Sequence, residues 1–329
     1  MRLVAILLFS MALISCSPQF RPGGDRTAIP TSKADNLVTA DQVSLPVRQW
    51  PAKDGQANAI LIALHGFNDY SLAFDHPASW WAEAGLTVYA YDQRGFGQAP
   101  HIGLWSSTRT MTEDLDDALS VISRRHPDLP IYLLGSSMGA AVILSALGDQ
   151  QSKASRSRVA GVVLVGPAVW GPTTMNPFYR YVLWMGAHTV PANHLTGEGL
   201  RIKPSDNIPM LRALGRDPLV IKSTRVDTLY GLVQLMGNAL ENAPHVARPV
   251  LVLGAADDQL IPGHAHQELL KVLKSDRTEA IYPKGFHMLL RDLQAKTVWK
   301  DILSWVNDKK APLPSGLGHK IKLQQATVR

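Results

Sequence analysis

In the stretch Ile131-Tyr132-Leu133-Leu134-Gly135-Ser136-Ser137-Met138-Gly139-Ala140-Ala141, four apolar residues give way to a G-x-S-x-G pentapeptide that opens an apolar helical run. A short, continuous apolar segment suits a strand covered on both faces. A turn from strand directly into helix brings the two backbones close, so the flanking positions must be small. Gly135, Gly139, Ala140 and Ala141 meet that demand. In this context Ser137 is expected at a nucleophile elbow, a strained turn that lifts a serine hydroxyl above the end of the sheet. Outside such a context the pentapeptide is a common Gly/Ser turn, and Ser136 is only a neighbour.

Apolar runs of the same kind lie at 59–64, 87–91 and 159–165, and again at 250–253 and 279–282. Helical patterns separate them. Between 112 and 126, Leu115, Ala118, Leu119 and Ile122 share one face, and Glu113, Asp114, Asp116 and Asp117 crowd the first turns, where the helix dipole favours negative charge. Pro127 ends that helix. Alternation of strand and helix predicts an α/β fold: a mostly parallel sheet with helices on both faces and its functional loops at the carboxyl ends of the strands. From about 167 to 248 the alternation lapses. Trp170, Phe178, Tyr179, Tyr181, Trp184 and Met185 cluster there with a helix expected at 228–240 and no clear strand. We read this stretch as an inserted helical cap, its aromatics chiefly the cap's own core, within a domain spanning 43–310.

A serine hydroxyl is a poor nucleophile until a base takes its proton, and the base must be oriented by an acid. On this kind of fold the chain order is Ser, acid, His. Candidate acids follow the run at 250–253, in Gly254-Ala255-Ala256-Asp257-Asp258-Gln259-Leu260-Ile261-Pro262. The candidate base is His287, in Tyr282-Pro283-Lys284-Gly285-Phe286-His287-Met288-Leu289 after the last run. Met138, directly after the serine, is expected to offer its backbone N–H to a developing oxyanion, a contact typically worth about 2.7–4 kcal/mol.

These segments, together with Leu64-His65-Gly66-Phe67-Asn68 and Tyr91-Asp92-Gln93-Arg94-Gly95-Phe96-Gly97-Gln98, resemble the α/β-hydrolase superfamily over roughly 45–306. Within it they look like the branch of monoacylglycerol lipases, lysophospholipases and serine aminopeptidases. The resemblance implies the α/β-hydrolase fold, hydrolysis of carboxylic esters through an acyl-enzyme, and Phe67 as the second oxyanion donor. Its acid loop often reads G-x-x-D-x-x-V-P. Counting on from Gly254 selects Asp257, whereas counting back from Ile261-Pro262 selects Asp258, and alignment of the whole strand without a gap favours Asp258. His65, Asp92, Arg94, Gly95 and Gly97 read as loop-organising residues.

The chain has 329 residues, 46% hydrophobic and 18% charged, ordinary globular composition that excludes a collagen, a coiled coil or a wholly disordered chain. Its net charge of +6 is scattered, without the aromatic-interleaved basic stripe of a nucleic-acid binder, and is compatible with attraction to an anionic lipid surface. Gly95 and Gly97 do not extend to G-x-G-x-x-G, because Pro100 stands at the third position, so no nucleotide cofactor is implied. His264-Ala265-His266 lacks partners at zinc-like spacing and reads as solvent-facing histidines at a helix start; no metal is expected.

Met1-Arg2 and the apolar run 3–14 read as a signal peptide rather than a membrane span, for which the run is too short. It ends in Leu13-Ile14-Ser15-Cys16, which resembles the lipobox of bacterial lipoproteins. That resemblance implies a signal peptide at 1–15, lipidation of Cys16 and attachment to the cell envelope, with Ser17 favouring the outer membrane. Cys16 is the single cysteine. The Pro- and Gly-rich segment 16–42 reads as a tether and 311–329 as a disordered tail. The expected partners are an acyl-ester lipid substrate, monoacylglycerol or lysophospholipid, and the membrane; the oligomeric state is open. A peptidase or thioesterase on the same machinery, or a non-catalytic envelope binding protein, is the rival expectation.

Overall fold

The computed structural model describes residues 17–149, 154–199 and 201–322. The apolar run 3–14 and Cys16, and with them the expected signal peptide and lipidation, lie outside the described residues. Among the described residues ten strands share one sheet: β1 (Thr31–Lys33), β2 (Asn36–Val38), β3 (Ser44–Trp50), β4 (Ala59–Leu64), β5 (Leu86–Tyr91), β6 (Ile131–Ser136), β7 (Val159–Val165), β10 (Val250–Ala255), β11 (Arg277–Tyr282) and β12 (His319–Ile321). Their order is β1-β2-β3-β5-β4-β6-β7-β10-β11-β12. From β5 through β11 all neighbours run parallel. The edge strands β1, β2, β3 and β12 join antiparallel.

Successive strand side chains point to opposite faces, so Ile60, Ile62 and Leu64 of β4 pack on one side and Leu61 and Ala63 on the other. The first side is covered by α2 (Thr108–Arg125), α3 (Met138–Gly148), α6 (Val226–Asn242) and α7 (Gly263–Val272). The second is covered by α1 (Asp75–Glu83) and α8 (Ala295–Asn307), through Trp81, Val298, Ile302 and Trp305. Each such fully buried side chain contributes roughly 1.5–3 kcal/mol. Helix α2 begins earlier than its apolar periodicity suggests because Ser107 caps it, its hydroxyl accepting the Thr110 N–H at 3.0 Å.

Between β7 and β10 lie α4 (Pro177–Thr189), β8 (His194–Thr196), α5 (Ile208–Arg216), β9 (Ser223–Arg225) and α6. Three features differ from expectation. Two short strands, β8 and β9, pair antiparallel where no strand was expected. Helix α6 belongs to the body rather than to an insert reaching 248: Leu235, Met236 and Ala239 sit in the main core. It approaches α3 so closely that a Cβ on Gly148 would lie 2.0 Å from the Asn242 carbonyl oxygen. The α4 aromatics are not a core of the cap, for Phe178, Tyr179, Tyr181 and Trp184 are exposed and only Ala187 of that helix is buried.

The expected tether is instead a docked strap. Its backbone N–H groups find side chains of the body: Gln19 donates to Asp227 at 3.0 Å, Gly23 to Thr110 Oγ1 at 2.9 Å and Ala40 to Asp117 at 2.8 Å. Arg94, in the loop after β5, donates to Asp41 of the strap and to Asp114 of α2, joining the two. The tail differs likewise. Leu313 is buried, the Ser315 N–H donates to Asp301 at 2.9 Å and β12 pairs with β11. Residues 323–329 lie outside the described residues.

Candidate active site

Ser137 occupies the turn between β6 and α3 with φ 51° and ψ −112°, a left-handed φ that side chains rarely adopt. The turn closes only because its neighbours are small. A Cβ on Gly139 would lie 2.1 Å from the Leu64 carbonyl oxygen, and one on Gly135 would lie 2.4 Å from the Ala140 Cα. The Ser137 N–H donates to the Val165 carbonyl at 2.9 Å, and its carbonyl accepts the Ala168 N–H at 3.1 Å, which pins the strained residue between β6 and the loop after β7.

The carboxyl ends of β6, β10 and β11 bring three sequence-predicted residues together. Ser137 Oγ lies 2.9 Å from His287 Nε2, and His287 Nδ1 lies 2.8 Å from Asp258 Oδ2. The other Asp258 oxygen accepts the backbone N–H groups of Leu260 and Ile261, each at 2.9 Å. Burial raises the affinity of Asp258 for a proton, but the hydrogen bond from His287, its charge and the two backbone donors outweigh that and hold the carboxyl below its usual range. An ionised carboxylate only accepts, so Nδ1 carries the imidazole proton and Nε2 is left to accept from the serine. Asp257 is exposed, and its N–H donates to the Gly285 carbonyl at 3.1 Å. Geometry therefore separates the two adjacent aspartates that counting left open.

The serine and histidine open onto a cavity of about 730 Å³. Its wall is largely apolar, with Trp170, Met175, Leu183, Leu232, Val233 and Met236 among the lining residues. Phe67 lines it too, its ring set edge-on against Phe96 at 5.6 Å. Met138 is fully buried at the start of α3. The loop carrying Phe67 passes so close that a Cβ on Gly66 would lie 3.4 Å from the Ser137 Cβ. His65 organises this loop: its Nε2 accepts the Gln93 N–H at 2.9 Å, so its Nδ1 carries the proton and donates to the Gly66 carbonyl at 2.8 Å. Burial lowers its proton affinity.

Residues 68–70, which the sequence left without a role, fasten the same loop. Asn68 donates through Nδ2 to Thr224 Oγ1 at 2.7 Å and accepts the Ile221 N–H at 2.9 Å, with φ 63° that asparagine tolerates better than most residues. Asp69 pairs with Arg291, four residues beyond His287, and the Tyr70 hydroxyl donates to Asp217 at 2.7 Å. Only the asparagine following His-Gly carried any local signal. Of the pair read as solvent-facing, His264 is exposed and bonds the Thr174 carbonyl at 2.9 Å, but His266 is half-buried against Gly254.

Residues 55–294 match the family described as serine aminopeptidase, S33. The chain is 27% identical over 264 residues to a monoacylglycerol lipase of Mycolicibacterium smegmatis, covering 77% of this chain and 89% of that protein. It is 26% identical over 291 residues to the human monoglyceride lipase, covering 86% and 93%. A soluble variant of the Saccharomyces cerevisiae monoglyceride lipase, solved with a substrate analogue, superposes with a TM-score of 0.70 at 20% identity, covering 88% of this chain and 99% of that one. The architecture is the α/β-hydrolase fold expected from the sequence.

Proposed function

The chain belongs to the serine aminopeptidase S33 family, and from that membership we propose a serine hydrolase that cleaves carboxylic esters through an acyl-enzyme, with monoacylglycerols or lysophospholipids as substrates. The observation that carries this reading is the hydrogen-bonded series Ser137, His287 and Asp258 at the floor of an apolar cavity. In the mechanism, Ser137 Oγ attacks the ester carbonyl carbon as its proton passes to His287 Nε2. Asp258 holds the imidazole in the required tautomer and stabilises its charge. The carbonyl oxygen, now an oxyanion, takes the backbone N–H groups of Phe67 and Met138. Collapse expels the alcohol, protonated by His287. A water then repeats the sequence against the acyl-enzyme, and the fatty acid leaves with the serine restored.

The cavity lies in the size range of small-molecule sites and suits one acyl chain. Lipase names among the relatives support the same substrate class. The test is labelling by a fluorophosphonate probe together with a panel of esters of graded acyl length, lysophospholipids and aminoacyl amides. Labelling at Ser137 with a preference for acyl esters is the expected result. Preference for the amides makes the protein a peptidase, and absence of labelling in folded protein makes it a binding protein. Attachment to the bacterial cell envelope through a lipid on Cys16 is part of this proposal. Cys16→Ala is expected to abolish acyl incorporation, and incorporation unchanged by that substitution refutes the anchor.

A further inference from the structure

Successive residues of the cap, in the segment that leads into α5, reach the chain immediately beside both partners of Ser137. The Lys203 N–H donates to Gln259 Oε1 at 2.8 Å, and Gln259 directly follows Asp258. The Pro204 carbonyl accepts the N–H of Met288, which directly follows His287, at 3.0 Å. The Ser205 hydroxyl donates to Asp292 Oδ1 at 2.6 Å. The second oxygen of Asp292 accepts the N–H of Phe286, directly before His287, at 2.8 Å.

These bonds lie inside the protein, for Ser205 is fully buried and Asp292 is 4% exposed. A buried carboxylate is costly unless donors surround it. Burial, and less so the nearby Asp206, pushes the Asp292 carboxyl up from its ordinary value, while Ser205, Phe286 and His287 oppose that push. Ser205 is itself fixed: its oxygen accepts the Asn207 N–H at 3.1 Å, and the Asn207 side chain donates to the Arg291 carbonyl at 2.9 Å. From the other side Arg291 pairs with Asp69, on the loop that carries Phe67. The residues flanking His287 are thus tied to the cap, Met288 directly and Phe286 through Asp292.

We propose that the cap segment 203–205 braces the imidazole of His287, with Ser205 and Asp292 as positioning residues that act through the backbone at Phe286. The brace keeps Nε2 at hydrogen-bonding distance from Ser137, so proton transfer depends on where the cap sits. A misplacement of about 1 Å in such a pair costs on the order of 10²-fold in rate. The kinetic consequence rests on the ester-hydrolase reading; the bracing does not.

The experiment follows hydrolysis of dissolved p-nitrophenyl esters by the full chain, and the rate and amplitude of its labelling by diisopropyl fluorophosphate. Asp292→Ala is expected to lower kcat on the order of 10²-fold and Ser205→Ala about tenfold, with KM within about twofold of the parent. The double variant should be no slower than Asp292→Ala, because Ser205 acts through Asp292. Asp292→Asn keeps an acceptor for Phe286 and a donor facing Ser205, and should recover to within about threefold of the parent. Labelling should slow by similar factors at full amplitude, which separates a displaced base from partly unfolded protein. Ser205→Ala removes a single hydroxyl and carries the same test if Asp292→Ala does not fold.

Losses confined to KM or to labelling amplitude overturn the proposal, as does a kcat within about twofold of the parent in both alanine variants. A readout independent of turnover is the low-field proton signal of His287 Nδ1–H, identified by its loss in His287→Gln. It should move or broaden in Asp292→Ala and hold its place in Asp292→Asn. If the parent neither labels nor hydrolyses, the enzymatic reading falls; a signal displaced in Asp292→Ala then still supports the brace, and an unmoved one removes it.

Discussion

Trp81, Trp105 and Trp305 are enclosed in the body, whereas Trp184, Phe178 and Tyr181, residues of the same kind, stand open on α4. The two regions differ in what lies above their apolar faces. Each face of the sheet meets a layer of helices, but α4 has the cavity beneath it and, among the described residues, no second layer outside. Apolar content of a segment therefore measures how much surface needs covering, not which partner covers it. On the proposed function a division of labour follows, in which the loops of the body carry chemistry and the cap carries access.

The sharpest way to break that division is at the floor of the cavity. Ser137→Ala is expected to lower kcat on the order of 10⁴-fold or more, for dissolved and vesicle-borne esters alike, with thermal unfolding essentially unchanged. Asp258→Asn should cost a comparable factor, on the order of 10⁴, because an amide can present its N–H to His287 and leave the wrong tautomer facing the serine. Asp257→Asn, one residue away and exposed, should stay within about twofold. Steady-state kinetics on a p-nitrophenyl ester measures all three, and equal losses at 257 and 258 would remove the assignment of the acid.

Next in size is the stability contrast between the two sets of aromatics. Trp81 is fully buried under the sheet, its Nε1–H donating to the Trp299 carbonyl at 3.0 Å. Trp81→Ala should destabilise by about 3–5 kcal/mol, through lost burial and the cavity left behind. Trp184→Ala should stay within about 0.5 kcal/mol in urea unfolding of the same full chain. A core-sized loss at Trp184 would mean that α4 is covered by the protein itself.

The same contrast explains what the sequence made legible. Strands β4, β6 and β7 and the positions of Ser137 and His287 could be read because each depends on local signals, an apolar run and the residues at its end. Asp258 over Asp257 rested in the sequence on the ungapped alignment of one strand, since adjacent carboxylates differ only in which way the loop turns them, and the geometry puts Asp258 on the imidazole. The strap was misread because its Pro and Gly content reports the lack of a core of its own. Its actual partners, Asp227, Thr110 and Asp117, lie 208, 87 and 77 residues away. The exposed side of α4 was misread for the converse reason: a dense aromatic cluster looks like a core, yet among the described residues nothing covers these side chains. Asp69 and Arg291 had no period or motif, only partners brought to them by the fold.

The smallest effect concerns a second pair of sites, the two histidines flanking the serine loop. His287 bonds two side chains at the cavity floor, whereas His65 is fully buried with both ring nitrogens committed to backbone. Protonating His65 would destroy the acceptor that holds the Gln93 N–H, and burial already disfavours the charge. Its proton affinity is thus lower folded than unfolded, where a histidine titrates near pH 6.5. Above about that pH neither state holds the extra proton and the full stability is present; below it the unfolded chain binds a proton the folded one refuses, so stability falls at up to about 1.4 kcal/mol per pH unit. Burial shifts His266 in the same direction, so the residue's share must be taken as a difference between variants. His65→Gln should be less stable than the parent at about pH 7.5, and the gap in urea midpoint should narrow toward about pH 5.5 because the variant lacks this titration. A gap that widens on acidification would mean that the folded protein holds His65 charged, and the loop presenting Phe67 would then be organised by a cation rather than by a neutral ring.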